Sequence, residues 1–256
     1  MSESPLKVWV ERDGALLRLR LARPKANIVD AAMIAALRSA FALHRGNSGL
    51  VAALIDAEGP HFSFGASVEE HLPAKAAEML KGLHALIIEM LEWPRPVLVA
   101  VRGQCLGGGL ELAMAGSLIF AANDARLGQP EIQLAVIAPA ASCLLPPRVG
   151  QGVAEDLLFS GRSIDGAEAK AIGLAAGAAE DPEAAALAYF DRYLAKVSGA
   201  ALGCAISAVR GSIVPELKRR FAEVERVYLE GTLKTHDGME GLSAFLEKRA
   251  PKWQHR

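Results

Sequence analysis

The sequence predicts an α/β fold with a helical C-terminal region, and three observations lead to that prediction. Short apolar strands alternate with amphipathic helices along the first half of the chain. Helical patterns dominate the second half, and no low-complexity linker separates the two halves. The 256 residues, 52% of them hydrophobic, suffice to bury a large core. Strand and helix repeats followed by helices are typical of an α/β core with a helical appendage.

The first predicted elements are a hairpin, a helix and a strand. Residues 8–21 are expected to form the hairpin, because Asp13-Gly14 is a turn signal and leucines alternate with arginines after it, as in a half-buried strand. Asp30 is a candidate N-cap for the helix that follows. The apolar residues 50–55 then predict a short strand.

Two further helices and strands follow in alternation. An amphipathic helix is predicted over residues 74–91, and a proline-rich turn ends it. Residues 97–101 have the composition of a buried strand. The next helix is expected to begin at the glycines 107–109, and residues 118–122 form another apolar strand.

Helices are expected to dominate the remainder of the chain. Asp165 and Glu168 have the spacing of a capping box, and Asp181-Pro182 is a typical helix start. Gly199 is expected to end that helix. Residues 215–233 carry a long amphipathic pattern.

We therefore divide the chain into an α/β core of residues 1–199 and a helical region of residues 200–256. No flexible linker joins the two parts. The helical region is accordingly expected to pack against the core.

The balance of charges argues against some classes of partner. The 28 lysines and arginines nearly equal the 29 aspartates and glutamates in number. This composition provides no broad basic surface for nucleic acid or for an anionic membrane. A small-molecule substrate fits it better.

Cysteine usage and hydropathy indicate the cytoplasm. Cys105, Cys143 and Cys204 are far apart and lack metal-ligand spacing, so reduced, buried thiols are expected. The N-terminal residues 1–7 lack the apolar core of a secretion signal. The most apolar stretch, residues 107–122, is short and is interrupted by a glutamate. The sequence therefore predicts a cytoplasmic protein without a membrane span.

The stretch most informative about function is residues 96–116, where a strand runs into the glycines 107–109 and then into a helix. Such a helix start presents free N–H groups and the positive end of the helix dipole to developing negative charge. Glycines also let a ligand approach the backbone closely. The alternative is a tight packing turn between a strand and a helix.

Glu111 indicates acid or base chemistry. Its helix is apolar nearly all round, and no cation lies within one helical turn of it. A buried carboxylate without a partner is costly unless its pKa shifts, and such shifts tune catalytic acids and bases. The alternative is that Glu111 reaches solvent or a remote arginine such as Arg102 or Arg148.

Glu131 follows a short predicted strand and stands directly after Pro130, a residue suited to the first position of a helix. A glutamate in a first helical turn is common for structural reasons alone. Its functional interest comes from pairing with Glu111, because two carboxylates in one apolar pocket can hold different protonation states.

Other catalytic motifs are weak or missing from the sequence. The patterns GxGxxG, GxxxxGK(S/T), HExxH and GxSxG do not occur. Glu69, Glu70 and His71 could bind a metal, although a solvated helix face is the favoured interpretation. We therefore expect no metal and no redox cofactor.

Several segments occur in an order and spacing that identify a family. The segments are Arg23-Pro-Lys-Ala-Asn, Phe64-Gly-Ala-Ser-Val, Gly103-Gln-Cys-Leu-Gly-Gly-Gly-Leu-Glu, Gly128-Gln-Pro-Glu-Ile and Gly241-Leu-Ser-Ala-Phe-Leu-Glu-Lys-Arg. Over residues 8–253 the chain resembles the crotonase family, the enoyl-CoA hydratase/isomerase group. The resemblance implies a crotonase-like spiral of ββα units with a C-terminal helical oligomerisation region. It also implies a homotrimer or a dimer of trimers.

The resemblance further implies roles for single residues in binding an acyl-CoA thioester. By position, the backbone amides of Ala66 and Gly108 would form an oxyanion hole, and Glu111 and Glu131 match the family's two catalytic glutamates. Coenzyme A would enter as part of the substrate. The residues near it would be Lys25, Phe64, Gly65, Ser67 and Val68.

Within the family, the chain is most similar to hydratases of cyclic conjugated dienoyl-CoA thioesters in anaerobic benzoyl-CoA degradation. Three segments carry this likeness: residues 23–34, 57–68 and 136–146. Many straight-chain hydratases have a glycine-rich loop in the last segment, whereas this chain has Ala138, Pro139 and Ala140 there. We expect this loop to shape the substrate pocket. Ser67 is a second departure, because many relatives have aspartate at that position.

Two other functions stay open on the sequence alone. One is a general hydratase of short, linear enoyl-CoA thioesters. The other is a crotonase-like binding protein without catalysis, for instance one recruited to RNA or to a protein complex. The pairing of Glu111 with Glu131 argues against lost catalysis, and the balanced charge argues against RNA.

Overall fold

The computed structural model describes residues 4–256, so the expectations for residues 1–7 and for the start of the 1–199 core lie partly outside the described residues. Within them, the β-strands are Leu6–Glu11 (β1), Leu16–Leu21 (β2), Ala52–Ala57 (β3), Val97–Val101 (β4), Gln104–Leu106 (β5), Leu118–Ala122 (β6), Arg126–Gly128 (β7), Ser163–Ile164 (β8) and Gly177–Ala179 (β9). The α-helices are Ala31–His44 (α1), Ala76–Leu91 (α2), Gly108–Ala115 (α3), Pro139–Leu144 (α4), Pro146–Val149 (α5), Gln151–Ser160 (α6), Gly166–Ala171 (α7), Pro182–Tyr189 (α8), Gly199–Arg210 (α9), Ile213–Arg226 (α10) and His236–Leu246 (α11). Short 3-10 helices span Val68–His71, Pro130–Leu134 and Thr232–Lys234, and π-helical turns span Phe190–Leu194 and Val227–Gly231.

The strands lie in two sheets that the chain visits in turn. The larger sheet has the order β1-β2-β3-β4-β6-β9, and the smaller has the order β5-β7-β8. The hairpin pair β1 and β2 is antiparallel, and the following pairs of the larger sheet are parallel. A bridge from Ser63 to Cys105 joins the segment after β3 to the smaller sheet. After the hairpin, β3, β4 and β6 are each followed by a segment that belongs or bridges to the smaller sheet and then by a helix, as the predicted spiral of ββα units requires.

Helices cover both faces of the larger sheet. Every residue of β3 and β4 is buried, as parallel strands between helical layers require. On one face, Leu54, Leu98 and Phe120 pack against Phe190 of the π-helical turn after α8. The opposite face belongs to the main hydrophobic core, together with residues of α1, α2 and α3.

The C-terminal helices pack against this core, as the sequence predicts. Val214, Leu217 and Phe221 of α10 belong to the main hydrophobic core. Tyr228 and Leu242 belong to a smaller cluster that includes the first half of α2. The division into residues 1–199 and 200–256 stays a prediction.

The predicted helix starts at two aspartates are confirmed. Asp30 accepts a hydrogen bond from Met33 N at 2.9 Å, and Asp165 accepts one from Glu168 N at 2.8 Å. Each side chain satisfies an amide that would otherwise lack a partner in the first helical turn.

The predicted role of Gly199 is wrong. The helix that starts at Pro182 ends with the π-helical turn Phe190–Leu194, and Gly199 begins α9 instead. Ser198 caps this second helix by accepting from Ala201 N at 3.4 Å. A glycine beside a capping serine is compatible with a helix start as well as with a helix end.

Strand β2 is more buried than the predicted half-buried strand. Arg18 is only 3% exposed because it forms ion pairs with Asp56 and Glu183, and α8 covers this side of the sheet. Arg20 donates from Nε to Asp56 Oδ1 at 2.7 Å. Pairing with carboxylates explains how a charged residue occupies the interior of the sheet.

The cysteine prediction is correct at two of three positions. Cys105 and Cys143 are buried free thiols, whereas Cys204 is exposed. Cys204 belongs to α9, a helix with no fully buried residue, which explains the difference.

Within residues 4–256, no single helix is both long and apolar enough to cross a bilayer. The bent pair Gly199–Arg210 and Ile213–Lys234 meets the length and composition criteria only when the two helices are taken together.

Candidate active site

Two segments of the chain meet at the start of α3. Leu106 N donates to Ser63 O at 3.0 Å and so aligns residues 63–66 with residues 106–108. Gly65 has a φ of +105°, and a Cβ atom at this position would lie 3.0 Å from Leu106 O. Glycine at position 65 therefore permits both the backbone conformation and the close approach of the two segments.

The backbone amides of Ala66 and Gly108 are neighbours at this junction. A Cβ atom on Gly108 would lie 3.0 Å from Ala66 N. Gly108 is the first residue of α3, and the first amides of a helix have no partner within it. Among residues 4–256, neither amide donates to a backbone carbonyl. Two neighbouring free donors at a helix N-terminus suit a developing oxyanion.

Glu111 lies one helical turn after this junction. Its N–H donates to Gly107 O at 2.9 Å, and its side chain points into the core, where the residue is only 4% exposed. Oε1 accepts a hydrogen bond from Ala141 N at 2.8 Å. Burial raises the pKa of Glu111 above its ordinary value, and the Ala141 amide offsets part of this effect.

The two alternative partners considered for Glu111 are engaged elsewhere. Arg102 lies 3.5 Å from Asp181, on the surface of the protein. Arg148 donates to the carbonyl oxygens of Met114 and Gly116 at 2.5 and 2.7 Å. Glu111 is therefore a buried carboxylate held by a backbone amide, neither solvated nor paired with arginine.

The segment predicted to shape the pocket forms the short helix α4. Pro139 occupies its first turn, where the missing N–H costs no helical hydrogen bond. Ala138, Pro139 and Ala140 are buried, and the Ala141 amide that follows them is the donor to Glu111. This segment therefore fixes the position of the Glu111 carboxylate.

Glu131 approaches the junction from the opposite side. It belongs to the 3-10 helix Pro130–Leu134, with Pro130 in the first turn as predicted. A Cβ atom on Gly107 would lie 2.4 Å from Glu131 Oε1, so the carboxylate packs directly on the Gly107 backbone. Gly107 has a φ of +50° and is therefore required to be glycine both by conformation and by space.

The side-chain amide of Gln129 lies against the Glu131 carboxylate. Oriented with its nitrogen toward the carboxylate, Gln129 donates to Glu131 Oε2 at 3.0 Å and to Oε1 at 3.3 Å. The other orientation would place an amide oxygen against the carboxylate, which brings two acceptors together. Gln129 is 1% exposed, so this donor is fixed by packing.

The two glutamates influence each other electrostatically. Burial, together with the nearby charge of Glu111, raises the pKa of Glu131 to about 8. Two close carboxyl groups in a buried site resist simultaneous ionisation. At neutral pH the pair therefore holds a proton that it can give up or take back.

A cavity of about 650 Å³ opens onto Glu131. Of the residues predicted to bind substrate, it is lined by Phe64, Gly65, Ala66, Ser67, Val68 and Glu131. Apolar side chains that the sequence analysis did not select also line it, including Ile28, Val136, Phe245 and Leu246. The predicted residues of the segment 64–68 thus all line one cavity.

Other predicted residues lie away from the wall of this cavity. Lys25 is exposed and has a φ of +89°; its neighbour Ala26 accepts from Phe64 N at 2.9 Å, which places Lys25 near the cavity mouth without lining it. Glu111 and Gly108 belong to α3 and are not among the residues that line the cavity, although Gly108 directly follows the lining residue Gly107. The loop residues Ala138, Pro139 and Ala140 of the described chain do not line it either.

Gln129, Phe245 and Leu246 were not predicted from the sequence as site residues. Gln129 and Phe245 lie inside segments that carry the family resemblance, so their positions in those segments were an available signal. Phe245 is 54% exposed although it is large and apolar, which is typical of a residue that meets a ligand or another protein.

Comparisons with known proteins show the family to which the chain belongs. A model of the enoyl-CoA hydratase/isomerase family matches residues 11–256. The chain is 64% identical to a cyclohexa-1,5-dienecarbonyl-CoA hydratase of Thauera aromatica, with 100% of each chain covered. It is 34% identical to a probable enoyl-CoA hydratase of Bacillus subtilis, over 92% of this chain and 94% of that one.

Solved structures show the same fold. An enoyl-CoA hydratase/isomerase from Pseudoalteromonas atlantica superposes with a TM-score of 0.83 and 27% identity, over 97% of this chain and 99% of that one. Its fold extends over the core and the C-terminal helices alike. From the family match, the two relatives and this likeness, the chain belongs to the enoyl-CoA hydratase/isomerase family, the crotonase family.

Proposed function

We propose that this protein adds water to a cyclic conjugated dienoyl-CoA, converting cyclohexa-1,5-diene-1-carbonyl-CoA to 6-hydroxycyclohex-1-ene-1-carbonyl-CoA in anaerobic benzoyl-CoA degradation. The observation that carries the proposal is the placement of two glutamates, the buried Glu111 and the half-buried Glu131, beside the free amides of Ala66 and Gly108. The identity of 64% with the Thauera aromatica hydratase supports the choice of substrate.

The amides of Ala66 and Gly108 would bind the thioester oxygen. Hydrogen bonds to this oxygen strengthen as it gains negative charge during attack on the β-carbon. Removing one such donor commonly costs about 3–4 kcal/mol of transition-state stabilisation. Because both donors belong to the backbone of a tight junction, they need no reorganisation when the charge develops.

The glutamates would move the protons. One carboxylate takes a proton from water while the water oxygen forms a bond to the β-carbon, and the displaced electrons spread over the thioester and the second double bond. A carboxylic acid of the pair then gives a proton to the far carbon of that double bond. The sum is 1,4-addition of one water molecule, with the pair returned to its starting protonation state.

The raised pKa values of the two glutamates suit this cycle. Burial and the charge of Glu111 raise the pKa of Glu131 to about 8, so one carboxyl group of the pair stays protonated near neutral pH. The pair then contains an acid and a base at the same time. Which glutamate performs which transfer is set by the position of the ring between them.

Residues of the cavity would bind the remainder of the substrate. Phe64, Gly65, Ser67 and Val68 line the cavity and would contact the pantetheine arm and the thioester, with Lys25 at the mouth near the phosphates. The mainly apolar wall, including Val136 and Leu134, suits a hydrocarbon ring. Coenzyme A is part of the substrate, and the proposal includes no metal and no redox cofactor.

A comparison of two substrates tests this proposal. We expect the value of kcat/KM to be higher for the cyclic dienoyl-CoA than for crotonyl-CoA, a short linear substrate. The likeness to the probable enoyl-CoA hydratase of Bacillus subtilis favours the linear substrate as the second candidate. A higher kcat/KM for crotonyl-CoA would replace the proposed function by that general hydratase.

A role in binding without catalysis is the third candidate. Keeping the Glu111 carboxylate buried without an arginine or lysine partner is costly, and a protein that only binds has no use for that cost. Turnover of neither substrate, together with no binding of any acyl-CoA, would favour this third candidate.

The proposal extends to assembly and location. A homotrimer or a dimer of trimers in the cytoplasm, without nucleic acid or membrane partners, is what the family resemblance implies. Exposed apolar side chains on the C-terminal helices support an interface there, among them Val209 at 70% and Ile213 at 44% exposure. Light scattering on the purified protein distinguishes a trimer or hexamer from a monomer.

A further inference from the structure

Tyr228 is a buried polar side chain without an assigned role. It is 0% exposed, and its hydroxyl group has no hydrogen-bond partner among residues 4–256. A buried hydroxyl without a partner is costly, and such groups in native structures call for an explanation. Tyr228 also lies in the π-helical turn Val227–Gly231, a rare element that is found frequently at functional sites.

The surroundings of Tyr228 place it against the candidate active site. It packs in one cluster with Val136, whose N–H donates to the Glu131 carbonyl at 3.2 Å. Ala66, which provides one of the free amides, packs against the same cluster. Val136 and Ala66 also line the cavity, so Tyr228 packs with residues of the cavity wall.

We propose that the hydroxyl of Tyr228 binds the water molecule that the enzyme adds, and holds the hydroxyl group of the product after the addition. This inference rests on the proposed hydratase function and extends it with a third polar group, contributed by the C-terminal helical region. Tyr228 would then contact a reacting atom from the side opposite to the backbone amides.

Other roles fit the chemistry of the hydroxyl group less well. Burial and the charges of Glu131 and Glu111 raise the pKa of Tyr228, so the phenol stays protonated and acts as a hydrogen-bond donor. Loss of its proton would create a second negative charge beside the ionised member of the glutamate pair, which argues against proton donation to the ring. The thioester oxygen has its own donors in Ala66 and Gly108, which leaves water as the reactant that needs one.

The geometry of water permits this arrangement. Water has two hydrogen atoms and two lone pairs. The hydrogens can point to the two carboxyl groups, one lone pair can accept from Tyr228, and the other is free to attack the β-carbon. Addition then breaks one O–H bond of the water and forms one C–O bond, while Tyr228 keeps its proton throughout.

The test is Tyr228→Phe, compared with Tyr193→Phe on the 52% exposed tyrosine of the π-helical turn after α8. We expect Tyr228→Phe to lower kcat about tenfold, the effect of one lost hydrogen bond, with little change in KM. Tyr193→Phe should leave kcat unchanged. Equal kcat values for wild type and Tyr228→Phe would overturn the inference.

Two further measurements separate this role from packing. The melting temperature of Tyr228→Phe should equal or exceed that of wild type, because an unpartnered hydroxyl is removed; a lower one would show a bond to another protein group and would also overturn the inference. The variant should bind the hydroxylated product about tenfold more weakly, yet bind cyclohex-1-ene-1-carbonyl-CoA, which lacks the hydroxyl group, as wild type does. If the wild-type protein hydrates neither substrate, the proposed function itself is rejected. The comparison of product binding between wild type and Tyr228→Phe would then still show whether the Tyr228 hydroxyl binds the hydroxyl group of the product.

Discussion

The amide of Ala141 donates a 2.8 Å hydrogen bond to Glu111 Oε1. The two residues are 30 positions apart, and the donor belongs to the segment in which this chain departs from straight-chain hydratases. The helix α4, begun by Pro139, thus supplies a fixed donor to one of the two glutamates. The segment that begins at Pro139 therefore acts on the position and the pKa of Glu111.

Glu111→Gln tests the role of this carboxylate. The glutamine oxygen can still accept the hydrogen bond from Ala141 N, so we expect the variant to have the fold and the melting temperature of wild type. Loss of an acid or base should lower kcat by about 100-fold or more. Steady-state kinetics with the exposed control Glu180→Gln measure this effect, and a variant that keeps most of the wild-type turnover would reject the role.

Gly107→Ala tests the contact between the junction and Glu131. The new Cβ atom would lie 2.4 Å from Glu131 Oε1, so the carboxylate must move and kcat should fall about tenfold or more. Gly150→Ala is the matched control, because Gly150 also has a positive φ, +82°, but nothing within 4 Å of the added atom. Both variants should lose about 1 kcal/mol of stability from backbone strain. Equal kcat values in the two variants would contradict the account.

Gln129→Leu tests how Glu131 is held. Removing a donor to the ionised carboxylate disfavours ionisation, so the pKa of Glu131 should rise above about 8. The alkaline limb of the kcat profile should therefore move to higher pH, by about one unit. Gln151→Leu, at an exposed glutamine, should leave the limb in place. An unmoved limb in Gln129→Leu would show that this amide does not control Glu131.

The pKa of Glu131 also predicts how stability depends on pH. A carboxyl group with a raised pKa keeps its proton in the folded state at pH values where the unfolded chain has lost it. Through this group, the free energy of unfolding falls as the pH rises from about 4.5 to about 8 and stays low above that. Glu131→Gln lacks this carboxyl group. The melting temperature of the variant should therefore rise relative to that of wild type as the pH increases across this interval. A constant difference would mean that Glu131 titrates normally.

Local signals in the sequence were sufficient for much of the fold. Asp30 and Asp165 cap helices because their effect depends on amides three residues away, and a single sequence contains that information. The burial of Glu111 was also predicted from nearby residues, because its helix is apolar on every side. The role of Gly199 was not decided locally, because a glycine is compatible with either end of a helix.

Contacts between distant segments were beyond such reasoning. The donor to Glu111 lies 30 residues away, and Arg18 is buried because Glu183, 165 residues away, reaches it from α8. Tyr228 continues the apolar face of α10, on which Leu217 and Phe221 also lie, so its spacing alone indicates a core residue. Only the packing of residues 4–256 shows that its hydroxyl group lacks a partner among them.

A crystal structure with a bound enolate analogue of the cyclic thioester tests the central claim most directly. The account predicts that the analogue oxygen lies within hydrogen-bond distance of Ala66 N and Gly108 N, with the carboxyl groups of Glu111 and Glu131 both facing the ring. An oxygen bound elsewhere, or a carboxyl group turned away from the ring, would contradict it.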